Sequence, residues 1–204
     1  MLETKPKIAV AVSGKGRTLQ NFLQGSYPFE VGAVISSSPK AAALAIAEKH
    51  GLPIFTGDFQ TIDPRHLDEW LEQQGVAWIA LAGFLKPFPP LPSFHNRVIN
   101  IHPSLLPHYG GHGMYGMRVH EAVLAAKEPV SGATVHFVNE RYDEGSIIAQ
   151  AKTDIRQVKS ALELSEQVFA LECAFYPEVV TRLISQQLPL SGGHTWYFEK
   201  DQRC

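Results

Sequence analysis

The chain has 204 residues, a formal net charge of -2, 45% hydrophobic and 19% charged residues. That is enough for one sizeable core, alone or with a small appendage, in a composition ordinary for a soluble globular protein. The near-neutral charge offers no basic field for nucleic acid or an anionic membrane, and no apolar run reaches the roughly 20 residues a membrane helix needs.

Lys7 to Val12 is an apolar run of strand length, followed by the glycine-bearing turn Ser13-Gly-Lys-Gly-Arg-Thr18. Leu19, Phe22 and Leu23 then recur at helical spacing. Val31–Ser36 reads as a second strand, Ala41–His50 as an alanine-rich helix stopped by Gly51, and Ile54-Phe55 as a short third strand. Asp63-Pro64 occupies the N-cap and first position of a helix running to Gln74. Val76–Leu81 and Val98–Ile101 are further strands, the former a continuous apolar run as expected of a strand covered on both faces. Strands alternating with helices predict right-handed crossovers and a parallel sheet. The first half therefore reads as a nucleotide-binding-type α/β fold.

The second half changes character. Gly116–Lys127 reads as a helix, and Ala133, Val135 and Phe137 alternate with Thr134, His136 and Val138 at strand periodicity. Gly145–Asp154 is the expected antiparallel partner. A long helix starts at Ser160 with the capping box Ser160-x-x-Glu163 and a buried stripe of Leu164, Val168, Leu171, Phe175 and Val179, interrupted by Pro177. The fold class expected is α/β: an open, mostly parallel twisted sheet with helices on both faces, an antiparallel strand pair and a long C-terminal helix. One domain is expected over residues 1–190, with 191–204 a tail of unassigned role. Of the two cysteines, Cys173 falls in the apolar helical pattern and is expected as a packed thiol, while Cys204 is terminal. With no disulfide framework and no apolar leader in residues 1–7, the cytoplasm is the expected compartment.

Two features carry chemistry. The glycine turn between a strand and a helix is an anion site in form, because unpaired N–H groups and the helix dipole both favour a phosphate. A dinucleotide fingerprint would need a third glycine where Leu19 stands and an acid where Ser36-Ser37-Ser38 stands, so a nicotinamide cofactor is not expected. A plain turn, with glycine only for geometry, stays open beside the phosphate reading. The second feature is Asn100-x-His102, two polar side chains on one side of a strand end, followed by Pro103-Ser-Leu-Leu-Pro107. Open parallel sheets bind ligands there. Asp143, in a polar loop between two strands, offers a carboxylate that could hold the imidazole protonated. Amide, imidazole and carboxylate suit acyl transfer through an oxyanion. No Ser or Cys stands in a nucleophile elbow, so direct attack by a substrate amine is preferred. His108 and His112 have ligand-like spacing, but Tyr109-Gly-Gly111 between them keeps them off one helix face, and no metal is expected.

With Ser13-Gly-Lys-Gly16, Leu81-Ala-Gly-Phe84, Ile99-Asn-Ile-His-Pro-Ser-Leu-Leu-Pro107, Gly132-Ala-Thr-Val-His-Phe-Val138 and Asp143-Glu-Gly-Ser-Ile-Ile148, the chain resembles the folate-dependent formyltransferases, collinearly from residue 7 to about 180. The resemblance implies transfer of a formyl group from 10-formyltetrahydrofolate, a co-substrate, to the primary amine of glycinamide ribonucleotide in purine biosynthesis, with small molecules as partners and a monomer or weak homodimer as the assembly. It implies that His102, Asn100 and Asp143 are catalytic and that Gly16, Arg17, Thr18, Phe169 and Glu172 hold the phosphoribosyl amine. Arg65, Leu85, Lys86, Pro87, Phe88, Asn139 and Glu140, with Asn100 and Asp143, would line the folate site. Arg17 and Thr18 depart from the small polar residues usual in the family's phosphate loop, which keeps an amino sugar nucleotide open as the alternative amine. A non-catalytic folate- or nucleotide-binding module is the reading from another class. The segment Tyr109–Gly116 resembles a glycine-rich variant within the family and is expected to act as a flap.

Overall fold

In the computed structural model, which describes residues 4–189 and 195–199, the apolar runs form strands β1 (Lys7–Val12), β2 (Glu30–Ser36), β3 (Ile54–Thr56), β4 (Val76–Leu81), β5 (Val98–His102), β6 (Val130–Phe137) and β7 (Ile147–Asp154). The helical patterns form α1 (Arg17–Gln24), α2 (Ala43–Lys49), α3 (Pro64–Gln73), α4 (Met117–Ala125) and α5 (Ala161–Ile184). A three-residue strand, β8 (Trp196–Phe198), follows. The strands hydrogen-bond in the order β3-β2-β1-β4-β5-β6-β7-β8, so the fold is an open, mostly parallel α/β sheet. Two compact units divide the chain, Met1–Asn100 and Ile101–Cys204.

In the first unit β1 pairs in parallel with β2 and β4, β2 with β3, and β4 with β5. The chain works outward from β1 to β3 and then returns to the other side of β1 with β4. Such a reversal opens a crevice at the carboxyl ends of the two central strands. The glycine turn after β1 and the Ala82–Phe88 turn after β4 both start there, joined by Ser13 N–H donating to the Gly83 carbonyl at 3.1 Å and Leu85 N–H donating to Ser13 Oγ at 2.9 Å. Helix α3 starts as its sequence predicts: Asp63 caps it, accepting from Arg65 N–H at 3.0 Å, with Pro64 as the first helical residue.

In the second unit β6 runs antiparallel to β7, from Val130 opposite Asp154 to His136 opposite Ile147. The sequence alternation of β6 suggests one wet face, but it is buried from Ser131 through Phe137. Its polar side chains therefore face protein and need partners. Ser160 caps α5, accepting from Glu163 N–H at 3.2 Å, while Glu163 reaches back to Lys159 N–H, one residue earlier than the capping-box pattern prescribes. The whole apolar stripe from Leu164 to Val179 is buried, and Pro177 lies inside the helix without ending it. Cys173 is half-buried rather than fully packed; Cys204 lies outside the described residues.

The part of the tail that is described has a place in the fold that its sequence does not announce. β8 pairs in parallel with β7. The Phe198 ring lies 5.5 Å from that of Phe175, and the Arg182 guanidinium sits 4.4 Å above the Trp196 ring. Three residues are too few for periodicity to register; aromatic packing and a cation over a ring hold them.

Candidate active site

β5 leaves the sheet through Asn100 and His102, with Ile99 and Ile101 buried on its other side. Asn100 is half-buried and pairs in register with Leu81 of β4. His102 is buried, and its Nδ1 lies 3.4 Å from Asp143 Oδ2. Its Nε2 lies 2.8 Å from the Tyr109 carbonyl oxygen. A carbonyl can only accept, so Nε2 carries the proton in this arrangement.

Asp143 is held from three sides. Gly111 N–H donates to Oδ2 at 2.9 Å, His102 faces that same oxygen, and His136 Nε2 lies 3.5 Å from Oδ1. His136 Nδ1 in turn lies 2.8 Å from the Phe137 carbonyl. Asp143 also sits in the left-handed region, at φ 58°. The loop is pressed close at both ends: a Cβ on Gly145 would fall 1.7 Å from the Phe137 carbonyl oxygen, and one on Gly110 3.2 Å from Asp143 Cβ. Glycine at 145 is a steric requirement of this geometry, because the clash there is with backbone.

Burial pushes the His102 imidazole below its ordinary value, and the opposing pulls of the Asp143 carboxylate and the Tyr109 carbonyl do not offset it. This corrects the sequence expectation that Asp143 keeps His102 protonated: desolvation outweighs the carboxylate here. Burial pushes the Asp143 carboxyl up, but the His136 hydrogen bond, the His102 charge and Gly111 N–H bring it below the usual carboxylate range. Both ring nitrogens of His102 thus face acceptors, while burial opposes the second proton that the carboxylate favours. His120 on α4 is buried too, its Nδ1 lacks a partner, and burial with the nearby His102 charge depresses it to about 4.

The exit from β5 is stiffened as the Pro-Ser-Leu-Leu-Pro stretch suggests, by a network centred on Thr134. Thr134 Oγ1 donates to the Ser104 carbonyl at 2.7 Å and accepts from Leu106 N–H at 3.0 Å. Gln150 Nε2 donates to the Leu106 carbonyl at 2.8 Å and to Thr134 Oγ1 at 3.1 Å. The expected flap is tied down at Tyr109, whose hydroxyl donates to Glu128 at 2.7 Å, and at Gly111.

In the first unit, Gly16 is the N-cap of α1 with φ 73°, and no side chain caps the helix. A Cβ on Gly16 would lie 2.6 Å from Ala43 Cβ of α2. Arg17 and Thr18 open the helix, Arg17 exposed and Thr18 half-buried. The first turn of α1 therefore starts at the carboxyl end of β1 from a residue with no side chain of its own to cap it.

The remaining predicted residues separate into groups. Leu85, Lys86 and Pro87 form an exposed turn, but the Phe88 ring is buried, 6.1 Å from Phe59 and 5.6 Å from Phe84. Arg65 is exposed and paired with its own helix cap, Asp63. Asn139 and Glu140 are exposed in the loop leading to Asp143, where Asn139 Oδ1 accepts from Arg141 N–H. Phe169 and Glu172 are half-buried on α5, and the Glu172 charge reaches the buried Tyr176 hydroxyl. His136 and Gly111 were not singled out as site residues by sequence; the register of β6 is the signal for His136, while nothing local marks Gly111. Among the described residues no group of three or more His, Cys, Asp or Glu could hold a metal, and no helix is long and apolar enough to cross a membrane.

The formyl transferase family model matches residues 6–180, and the chain belongs to that family. It is 33% identical over 196 residues to phosphoribosylglycinamide formyltransferase, chloroplastic, of Arabidopsis thaliana, covering 90% of this chain and 67% of that protein. It is 33% identical to phosphoribosylglycinamide formyltransferase of Haemophilus influenzae, covering 85% of each. The crystal structure of phosphoribosylglycinamide formyltransferase from Anaplasma phagocytophilum superposes with a TM-score of 0.80 at 28% identity, covering 96% of this chain and 100% of that one.

Proposed function

We propose that the chain transfers the formyl group of 10-formyltetrahydrofolate to the primary amine of glycinamide ribonucleotide, the reaction for which its relatives are named. The observation that carries this reading is the Asp143 carboxylate beside the buried His102 at the end of β5, in a chain of the formyl transferase family. The amine lone pair attacks the formyl carbon; the new N–C bond forms as the C=O pair moves onto oxygen. Asn100 and His102 Nε2–H donate to that oxygen, His102 exchanging the Tyr109 carbonyl for it. Each such donor is typically worth ~100- to 1,000-fold in rate. Asp143 takes the amine proton beside His102 Nδ1. Collapse then breaks the bond to N10 of the folate, which leaves with that proton.

Gly16, Arg17 and Thr18 receive the substrate phosphate at the start of α1, and Phe169 and Glu172 the phosphoribosyl group. The folate lies against Leu85, Lys86, Pro87 and Phe88, against Asn139 and Glu140, and near Arg65. In this reading residues 1–190 work as one formyltransferase domain, in the cytoplasm, on small molecules, as a monomer or weak homodimer. Arg17 is the specific observation that favours a second reading, an amino sugar nucleotide as the amine. Mixing the protein with 10-formyltetrahydrofolate and glycinamide ribonucleotide should give the absorbance change of deformylated folate. Turnover with an amino sugar nucleotide but none with glycinamide ribonucleotide would move the assignment to the second reading; turnover with neither would leave a binding module.

A further inference from the structure

The Asp143 carboxylate lies between two imidazoles, not beside one. His102 Nδ1 is 3.4 Å from Oδ2, and His136 Nε2 is 3.5 Å from Oδ1. Both rings are buried and therefore kept from water. Each ring's other nitrogen lies 2.8 Å from a backbone carbonyl, Tyr109 for His102 and Phe137 for His136. The His136 ring is fixed by its own strand, since β6 is buried on both faces and Phe137 is its next residue. The Asp143 backbone, by contrast, is in a strained left-handed loop, and a carboxylate turns readily about its own axis. Gly111 N–H and His102 both meet Oδ2, while His136 meets Oδ1 from the opposite side and so holds that rotation.

We propose that His136 is a positioning residue for formyl transfer: it acts through Asp143, holding Oδ1 so that Oδ2 stays against His102 Nδ1. This rests on the formyl-transfer reading. The groups facing the carboxylate are His102 from β5, His136 from β6, Gly111 N–H from the loop before α4 and the neighbouring Tyr142, whose hydroxyl is raised by burial and by the Asp143 charge. Of these, His136 supplies the largest contribution holding the carboxyl ionised. Losing it should move the Asp143 titration upward.

Two variants separate positioning from bulk. His136→Gln keeps an N–H aimed at Oδ1, whereas His136→Leu fills the space without one. With glycinamide ribonucleotide and 10-formyltetrahydrofolate, His136→Leu should lose roughly 10- to 100-fold in kcat with both KM values little changed, the scale of one hydrogen bond to a charged group. Its acid limb in the pH profile of kcat should move to higher pH. His136→Gln should recover most of the rate. Wild-type kcat and an unmoved acid limb in His136→Leu, or a His136→Gln no better than His136→Leu, overturns the proposal. A readout without substrate keeps it falsifiable should His136→Leu not fold, or should the amine prove to be a different one. The Asp143 carboxyl, followed by carbon NMR, should titrate at higher pH in His136→Phe, which keeps a ring there and loses the N–H, than in wild type. An unmoved titration shows that His136 does not act on Asp143.

Discussion

Replacing Gly16 with alanine tests the anion turn through two separate quantities. The residue caps α1 at φ 73°, a conformation that costs an L-residue about 1–2 kcal/mol. Its Cβ would lie 2.6 Å from Ala43 Cβ and 3.0 Å from Ala43 Cα, well inside the roughly 3.5–4.0 Å at which carbons rest. Overpacking of this kind costs typically ~1–3 kcal/mol. The sum, about 2–5 kcal/mol, lowers Tm by roughly 4–20 °C in a chain of this size. Either α1 or α2 must move to admit the methyl, and the first-turn N–H groups of α1 move with it. Differential scanning fluorimetry and steady-state kinetics should therefore show a lower Tm together with a raised KM for the phosphorylated amine, at a kcat near wild type. Gly14→Ala is the control: Gly14 is outside the left-handed region and a Cβ there meets nothing within 4 Å, so its Tm should be unchanged. An unaltered Tm in Gly16→Ala would refute the close approach to α2, and a lower Tm with an unaltered KM would refute the phosphate reading of the turn.

Asp143→Asn should lower kcat by roughly 1,000- to 10,000-fold, the scale seen when the carboxylate behind a catalytic histidine is made an amide; near-normal single-turnover rates would show that His102 works without it. His120 is neutral in the fold down to about 4 but takes a proton near 6.5 when unfolded. Protons therefore bind the unfolded chain preferentially, and the stabilisation, complete above pH 6.5, is lost as pH falls toward 4, by at most about 3 kcal/mol. Urea titrations of His120→Leu and wild type between those pH values should diverge in that sense, and parallel curves would contradict it. Thr134→Val leaves the buried Leu106 N–H without its acceptor, which should cost about 1–3 kcal/mol and slow turnover by loosening the exit from β5; an undiminished Tm would mean that water or a backbone group takes over the bond.

Element positions and the mostly parallel sheet were legible because a buried parallel strand needs a continuous apolar run and a helix needs a stripe, and residues 7–184 supply both; the strand order was not read from them. Asn100 and His102 were legible for the same reason, since a strand places residues two apart on one side. Asp143 was legible as a polar loop residue, but its pairing with His102 depends on where the β6–β7 loop returns, which no local pattern records. The downward push of burial on His102 was not legible, because sequence shows the partner charge and not the water excluded around it. His136 read as a residue of a solvent-facing side because alternation normally marks a half-wet sheet; an inner strand with polar residues bonded inside gives the same pattern. β8 escaped because three aromatic residues carry no period.

The left-handed backbone at Asp143 sets an upper limit on how stable this protein can become while it still works. Glycine would relieve that conformation, but only a residue with a carboxylate can meet His102 and His136 there. Aspartate tolerates positive φ better than most side chains, so the loop uses the least strained acid available and keeps the residual strain in place. Asp143→Gly would relieve the strain but strip Gly111 N–H, His102 and His136 of their shared acceptor, so the chain it gives should be inert and gain little heat resistance.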